Sequence, residues 1–390
     1  MSHKKDRLKI AFIGHKYIPS REGGVEIVVE ELSTRMVEKG FDVTVYNRGR
    51  DVSGQKKDKA VANELYKGVK IKRALTINKK GLAAFSSSLF AGINAAFSDF
   101  DVVHFHAEGP CAAMWIPKLF GKKCIATIHG LDHKRAKWGR FASAYIKFGE
   151  KCAVRFADEI IVLSQNVQNY FLENYGRATV FIPNGVNTAK PKAADIIQKQ
   201  YNLQKDEYIL FLARLVPEKG VRYLIDAFRQ INTDKKLVIA GGSSDTDDFE
   251  CQLIESAKQD KRIIFTGFVE GEVLTELYSN AYLYVLPSDL EGMPISLLEA
   301  LSFGNCCLTS DIPECADVLQ QNGVTFKAGN VEDLKEKLEL LLNVPEKVLD
   351  LRQKASFVFE KYNWNDVVDK TLQLYGVQVT AEKEKVSQRG

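Results

Sequence analysis

The chain has 390 residues, 45% of them hydrophobic and 27% charged, a length for two or three domains and a composition that excludes disordered, collagen-like and coiled-coil readings for its bulk. Lysine and arginine number 54 against 50 aspartates and glutamates, a formal charge of +4, too mild to mark a nucleic-acid binder by charge, so an anionic partner must be held locally. Seven scattered cysteines form no C-x-x-C pair and have no histidine at metal-ligand spacing, which argues for a reducing, cytoplasmic setting and against a disulfide framework or structural zinc.

From the start of the chain, a polar stretch leads directly into the apolar run 8–13, too short and too early for a signal peptide. Strands are expected at 8–13, 42–46, 69–73, 102–106, 123–128, 159–163 and 180–182, with helices between most of them, notably 25–39 and 138–156. The weakly polar stretch 81–97 contains Ser86, Ser87, Ser88, Gly92 and Asn94. It falls short of the ~20 apolar residues of a membrane span and reads as a helix. After Pro183-Asn184-Gly185, the Lys-, Ala- and Pro-rich segment 187–195 reads as a linker. A second series follows: strands at 208–213, 236–240, 263–266, 281–286 and 305–309, helices at 220–231, 249–259, 273–279 and 294–301. Helical signals resume at 331–342 and 348–375, and the charged end 381–390 is expected to fray. Alternation of this kind specifies parallel sheets with covering helices. The domains are drawn at 1–187, 188–365, and a 366–390 tail whose helix returns to the first domain.

Ligands of open parallel sheets sit beyond the carboxyl ends of the strands, so the loops there carry the chemistry. The first, from Gly14 to Glu26, contains Gly23-Gly24 before a helix, where backbone N–H groups can approach an anion or a sugar. The same pair also reads as a flexible turn capping that helix, and the pattern is not G-x-G-x-x-G, so the dinucleotide fingerprint is absent. In the second half Arg214 and Lys219 share a loop leaving a strand, a spacing that suits two phosphates and equally suits solvated surface. Glu291-Gly292-Met293-Pro294-Ile295-Ser296-Leu297-Leu298-Glu299 places Pro294 at the first helical position, with the N–H groups near Ser296 and Leu297 free to meet a phosphate. Eight residues at 100° each put Glu291 and Glu299 about 80° apart, so they need not act on one bond as paired glycosidase carboxylates do. Among six histidines, His104, His106 and His129 stand at strand ends, where a structural role competes with a functional one. No G-x-S-x-G elbow accompanies them, so a serine triad is not indicated.

Taken together, these residues resemble a retaining glycosyltransferase of the GT-B fold, family 4, over about residues 8–375. The E-x7-E pair Glu291 and Glu299, set after the R-x4-K loop of Arg214 and Lys219, carries the resemblance, and Pro183-Asn184-Gly185-Val186 matches the usual interdomain sequence. The resemblance implies two Rossmann-like doubly wound α/β domains facing across a cleft, the first binding acceptor and the second nucleotide sugar. It implies that Glu291 lies near the donor sugar together with Met293 of the same segment, that Glu299 bonds the ribose, and that Arg214 and Lys219 hold the diphosphate with the helix start at Ser296 and Leu297. His129 would face the reacting sugar, Gly23-Gly24 would approach the diphosphate from the acceptor side, and Gly241 and the main chain at Phe268-Val269 would border the nucleotide. The loop from Gly14 to Glu26 is further similar to a subgroup from bacterial surface-polysaccharide assembly.

No cofactor or metal is expected, in keeping with GT-B enzymes and the absence of a D-x-D strand-end motif. The expected partners are a nucleotide sugar donor and a glycan or polyprenyl-linked acceptor, with no nucleic acid. Residues 133–140 cluster cations around Trp138 and read either as a contact with an anionic membrane face or as a solvated loop. A sugar-nucleotide epimerase on the same fold and a non-catalytic nucleotide-sugar binder stand as alternatives.

Overall fold

The computed structural model describes residues 7–49, 64–77, 82–134, 139–243, 247–358 and 361–378. Its first sheet contains β1 (Lys9–Ile13), β2 (Asp42–Arg48), β3 (Glu64–Tyr66), β4 (Val69–Ala74), β5 (Val102–His106), β6 (Lys123–Ile128), β7 (Glu159–Val162) and β8 (Val180–Phe181). The second contains β9 (Tyr208–Leu212), β10 (Lys236–Ala240), β11 (Ile263–Gly267), β12 (Leu283–Leu286), β13 (Cys307–Ser310) and β14 (Val324–Phe326). Strand order is β3-β4-β2-β1-β5-β6-β7-β8 in one and β11-β10-β9-β12-β13-β14 in the other. All pairs are parallel except the β3–β4 hairpin. Both are doubly wound sheets whose order reverses beside the first strand, β1 or β9, which opens a crevice there in each domain.

Near-continuous apolar strands such as Tyr208–Leu212 follow from burial on both faces, since helices cover a parallel sheet on each side. The helix predicted at 25–39 spans Gly24–Glu38, and the 81–97 expectation becomes Ala83–Ala96, with Gly81 outside the described residues. The helix expected at 138–156 is described from Arg140 to Phe156. Residues 135–138 of the basic cluster, and the 381–390 tail, lie outside the described residues. Among the described residues no helix is long and apolar enough to cross a membrane.

One expectation is corrected at the C-terminal end. The stretch 348–375 is not one helix: Pro345–Val358 and Trp364–Tyr375 are separate, and Asn363 caps the second by accepting from the Asn365 N–H. The break lets the chain cross between domains again. Val186 donates its N–H to the Tyr362 carbonyl at 2.7 Å, so the outward crossing at Pro183-Asn184-Gly185-Val186 and the return run side by side. A Cβ at Gly185 would stand 2.5 Å from the Trp364 ring, so only glycine lets the two crossings touch. Trp364, Val368 and Leu372 then bury with Ile10, Phe12 and Val29, placing the last helix on the first sheet.

Candidate functional site

The carboxyl ends of the two sheets face each other across a cleft of about 570 Å³ lined from both halves. On the C-terminal side, β9 runs into a 3-10 turn, Pro217–Lys219, closed by Gly220 at φ +66°. A Cβ at Gly220 would lie 1.9 Å from the Pro287 carbonyl oxygen, so this glycine brings the loop after β9 against the end of β12. Lys219 thereby meets Glu291: Nζ and Oε1 are 2.5 Å apart, both side chains largely buried. Ser288 Oγ donates to the same oxygen at 2.7 Å and is held from behind by Ser310, whose hydroxyl donates to the Ser288 carbonyl. The lysine is positioned by this network with its charge turned toward the cleft wall that Arg214 shares.

The Ile295–Ser302 helix begins at the cleft floor with Pro294 as its extended N-cap, not as its first helical residue. The N–H of Leu297 donates to the Pro294 carbonyl at 3.2 Å, and the Leu297 side chain is fully buried in the core. Leu297 is therefore withdrawn from the expected anion contact, because the turn at the N-cap already satisfies its donor. The helix presents Ile295 and Ser296 first, ahead of any intrahelical acceptor. Glu299, on the next turn, accepts from Arg21 Nη2 at 2.5 Å and from Tyr278 Oη at 3.1 Å. Burial raises the Glu299 carboxyl above its ordinary range against the opposing pull of Arg21 and Tyr278. Arg21 belongs to the loop after β1, so this pair bridges the two domains.

Gly241, at φ +145°, allows the end of β10 to pass so near the β9 loop that a Cβ there would be 1.9 Å from the Ala213 carbonyl oxygen. Phe268 and Val269 form the neighbouring wall. Across the cleft, Gly292 lies against the His129 carbonyl, where a Cβ would approach to 1.6 Å. Asn184 donates through Nδ2 to the Met293 carbonyl at 3.0 Å, tying the interdomain crossing to the glutamate loop.

Behind the N-terminal wall runs a row of buried imidazoles, of which His129 lines the cleft. His129 Nε2 and His106 Nδ1 are 2.9 Å apart, the His106 ring stacks on His104 at 4.4 Å, and His104 Nδ1 reaches the Tyr375 hydroxyl at 2.6 Å. Burial, then the nearby His129, pushes His104 down to about 3, and burial lowers His15 to about 4. The buried His104 and His15 are thus neutral at physiological pH, while Lys16, Arg21 and Glu22 of the loop after β1 line the cleft from this side together with His129.

Two family models match the chain in tandem: Glycosyltransferase Family 4 over residues 22–190 and Glycosyl transferases group 1 over residues 193–356. The chain belongs to the GT-B glycosyltransferases of family 4 and group 1. The sucrose-phosphate synthase of Thermosynechococcus elongatus has the same fold at a TM-score of 0.80 and 21% identity, covering 95% of this chain and 98% of that one. HepE of Anabaena, solved with UDP-glucose, gives 0.77 and 17% over 94% and 100%. In sequence, 26% of residues are identical over 58% of this chain and 62% of a Campylobacter jejuni N,N'-diacetylbacillosaminyl-diphospho-undecaprenol alpha-1,3-N-acetylgalactosaminyltransferase.

Of the residues singled out in the sequence, Gly23, Gly24, His129, Arg214, Lys219, Gly241, Phe268, Val269, Glu291, Met293, Ser296 and Glu299 line this single cleft of the glycosyltransferase, and Leu297 does not. Arg21, Lys16, Tyr278 and Ser288 were missed. Arg21 and Lys16 stood in the Gly14–Glu26 loop, where a cation beside paired glycines was the available signal. Tyr278 and Ser288 meet the two glutamates only through tertiary packing.

Proposed function

We propose that this glycosyltransferase moves a sugar from a nucleoside-diphosphate sugar, with retention of anomeric configuration, to a hydroxyl of a glycan or lipid-linked acceptor. The observation that carries the reading is the Lys219–Glu291 pair set beside Arg214 and the start of the Ile295–Ser302 helix, in a cleft lined from both domains. Positive charge builds on the sugar while the diphosphate departs. Lys219, Arg214 and the Ser296 N–H stand where the leaving charge develops, so they lower the barrier rather than merely improving binding. Glu291 holds Lys219 in place and reaches the donor sugar's hydroxyls. Glu299 exchanges Arg21 for the ribose diol, and His129 faces the reacting sugar. The acceptor hydroxyl attacks from the face the diphosphate leaves, with a leaving phosphate oxygen taking its proton, and no metal is assigned to the diphosphate.

The N-terminal domain takes the acceptor in this reading, and peripheral contact with an anionic membrane brings it a lipid-linked one. Supporting this contact are Phe141, 95% exposed, and Phe148, half exposed, seven residues apart on one face of the helix that Arg140 begins. Incubation of the purified chain with uridine, guanosine and thymidine diphosphate sugars and lipid extracts tests the reading. It expects nucleoside diphosphate release only when acceptor is present, with the product anomer matching the donor by NMR coupling. Acceptor-independent conversion of the nucleotide sugar, or an inverted product, overturns it.

A further inference from the structure

Away from the cleft, three ligand-type side chains converge inside the N-terminal domain. Glu108 follows β5 at the start of the 3-10 turn Gly109–Ala113, His133 lies in the turn Asp132–Lys134 after β6, and Glu150 stands in the Arg140–Phe156 helix. One donor atom from each lies within 4.8 Å of the others. His133 Nδ1 is 3.4 Å from Glu108 Oε1 and 3.2 Å from Glu150 Oε2. These spacings match the edges, about 3.0–3.4 Å, of a coordination shell with metal–ligand bonds of about 2.1 Å.

The packing that produces this meeting is specific. A Cβ at Gly149 would stand 2.1 Å from the Glu108 carbonyl oxygen, so glycine is what lets the helix deliver Glu150 to Glu108. Glu150 Oε1 is fixed by Lys147 Nζ at 2.8 Å, by the Tyr170 hydroxyl at 3.0 Å and by the Tyr175 hydroxyl. Partners of this kind orient metal ligands. The second oxygens are different: Oε2 of Glu108 and Oε2 of Glu150 have no hydrogen-bond partner among the described residues, although both residues are fully buried. Two carboxyl groups buried this close together call for a shared proton or a cation to relieve their charge.

We propose that Glu108, His133 and Glu150 bind one divalent transition-metal cation, which ties the loop after β6 to the Arg140–Phe156 helix. One imidazole nitrogen with two carboxylates suits Mn2+, Fe2+ or Zn2+ better than the all-oxygen preference of Ca2+ or Mg2+. His129, four residues before His133, stands on the same loop, so the cation steadies the wall of the cleft without entering it. The site rests on this cluster alone and holds whether or not the cleft transfers sugar.

The test uses the full chain stripped with EDTA and titrated with MnCl2, with free Mn2+ followed by electron paramagnetic resonance and melting followed in parallel. One Mn2+ binds per chain, and a saturating concentration raises the melting temperature by roughly 3 °C or more. Glu108→Gln and His133→Gln each weaken binding at least about tenfold and abolish the shift. Glu108→Gln replaces one of two crowded buried carboxyl groups with an isosteric neutral amide, so its metal-free form melts no lower than the metal-free wild type, which keeps loss of binding distinct from loss of fold. Absence of stoichiometric Mn2+, or binding unchanged in both variants, overturns the site and leaves a proton shared between the carboxyls.

Discussion

The two sheets share a central strand order, yet their carboxyl ends carry different chemistry. After β9 and β12 the C-terminal domain presents Lys219, Arg214 and Glu291, with the charges paired or aimed into the cleft. At the ends of β1, β5 and β6 the N-terminal domain buries His15, His104 and His106, held neutral by burial, behind a wall where Lys16, Arg21, Glu22 and His129 meet the cleft. In the proposed reaction the anionic leaving group belongs with the first wall and the acceptor with the second. The same topology thus serves two kinds of ligand because the loops, and not the strands, set the charge.

The largest effect is expected where this contrast is strongest. In the proposed reaction Lys219→Ala removes the cation set against the departing phosphate and should lower turnover by roughly 10²–10³-fold, the usual loss for one transition-state donor. It also leaves Glu291 buried with only Ser288 from its former network, which by itself destabilises. Lys219→Ala combined with Glu291→Gln separates the two effects: melting returns toward wild type while turnover stays low. Recovery of turnover in the double variant would show that Lys219 matters only as a structural counter-ion.

Gly292→Ala attacks the junction of the two walls. The new methyl would sit 1.6 Å from the His129 carbonyl oxygen and 2.6 Å from its carbon, a clash with backbone that no rotamer relieves. Turnover should fall at least about tenfold as the domains are pushed apart. Small-angle scattering should show a larger radius of gyration with both domains folded. An unchanged radius with normal turnover would mean that the closed arrangement is not needed.

The buried imidazoles have their own signature in acid. His104 and His15 have folded pKa values of about 3 and 4, below the ordinary 6.5, so the unfolded chain binds more protons between these limits. Above pH 6.5 the buried imidazoles cost nothing. As pH falls below 6.5, each removes up to about 1.4 kcal/mol of stability per pH unit until its folded pKa is reached. Limited proteolysis between pH 6.5 and 4 should therefore cut the N-terminal domain before the C-terminal one. His104→Gln should flatten the dependence of melting temperature on pH, and an unaltered slope would remove His104 from the explanation.

The sequence made the strands legible because burial on both faces leaves uninterrupted apolar runs such as Ile209, Leu210 and Phe211, each fully buried. It failed at β3 and β14, two three-residue edge strands; Glu64 and Leu65 of β3 are exposed and give no alternation. It joined two helices across Asn363 because their apolar periodicity continues while a cap residue interrupts the backbone. In the cleft, residues fixed by local spacing were readable, Lys219 and Glu291 among them. Arg21 was not, since its partner Glu299 lies 278 positions away. Leu297 shows the converse limit: helix-start reasoning marked its N–H as available, and a one-residue shift of Pro294 to the N-cap consumed it.

The smallest expected effect tests the glycines of the first loop. Among the described residues a Cβ at Gly24 would meet only the Ile295 Cδ1, at 3.7 Å, an ordinary contact. Gly24 is the first residue of its helix, so Gly24→Ala should leave stability unchanged or raise it by up to about 0.5–1 kcal/mol. A diphosphate seated between Gly24 and the Ile295–Ser302 helix would nevertheless meet the added methyl. Such a variant should melt at or above wild type while its KM for the nucleotide sugar rises a few-fold and its acceptor KM does not. Stability and donor affinity then move in opposite directions, which no packing defect produces. A variant equal to wild type in donor KM would place the diphosphate wholly on the C-terminal wall and leave Gly24 to the helix start alone.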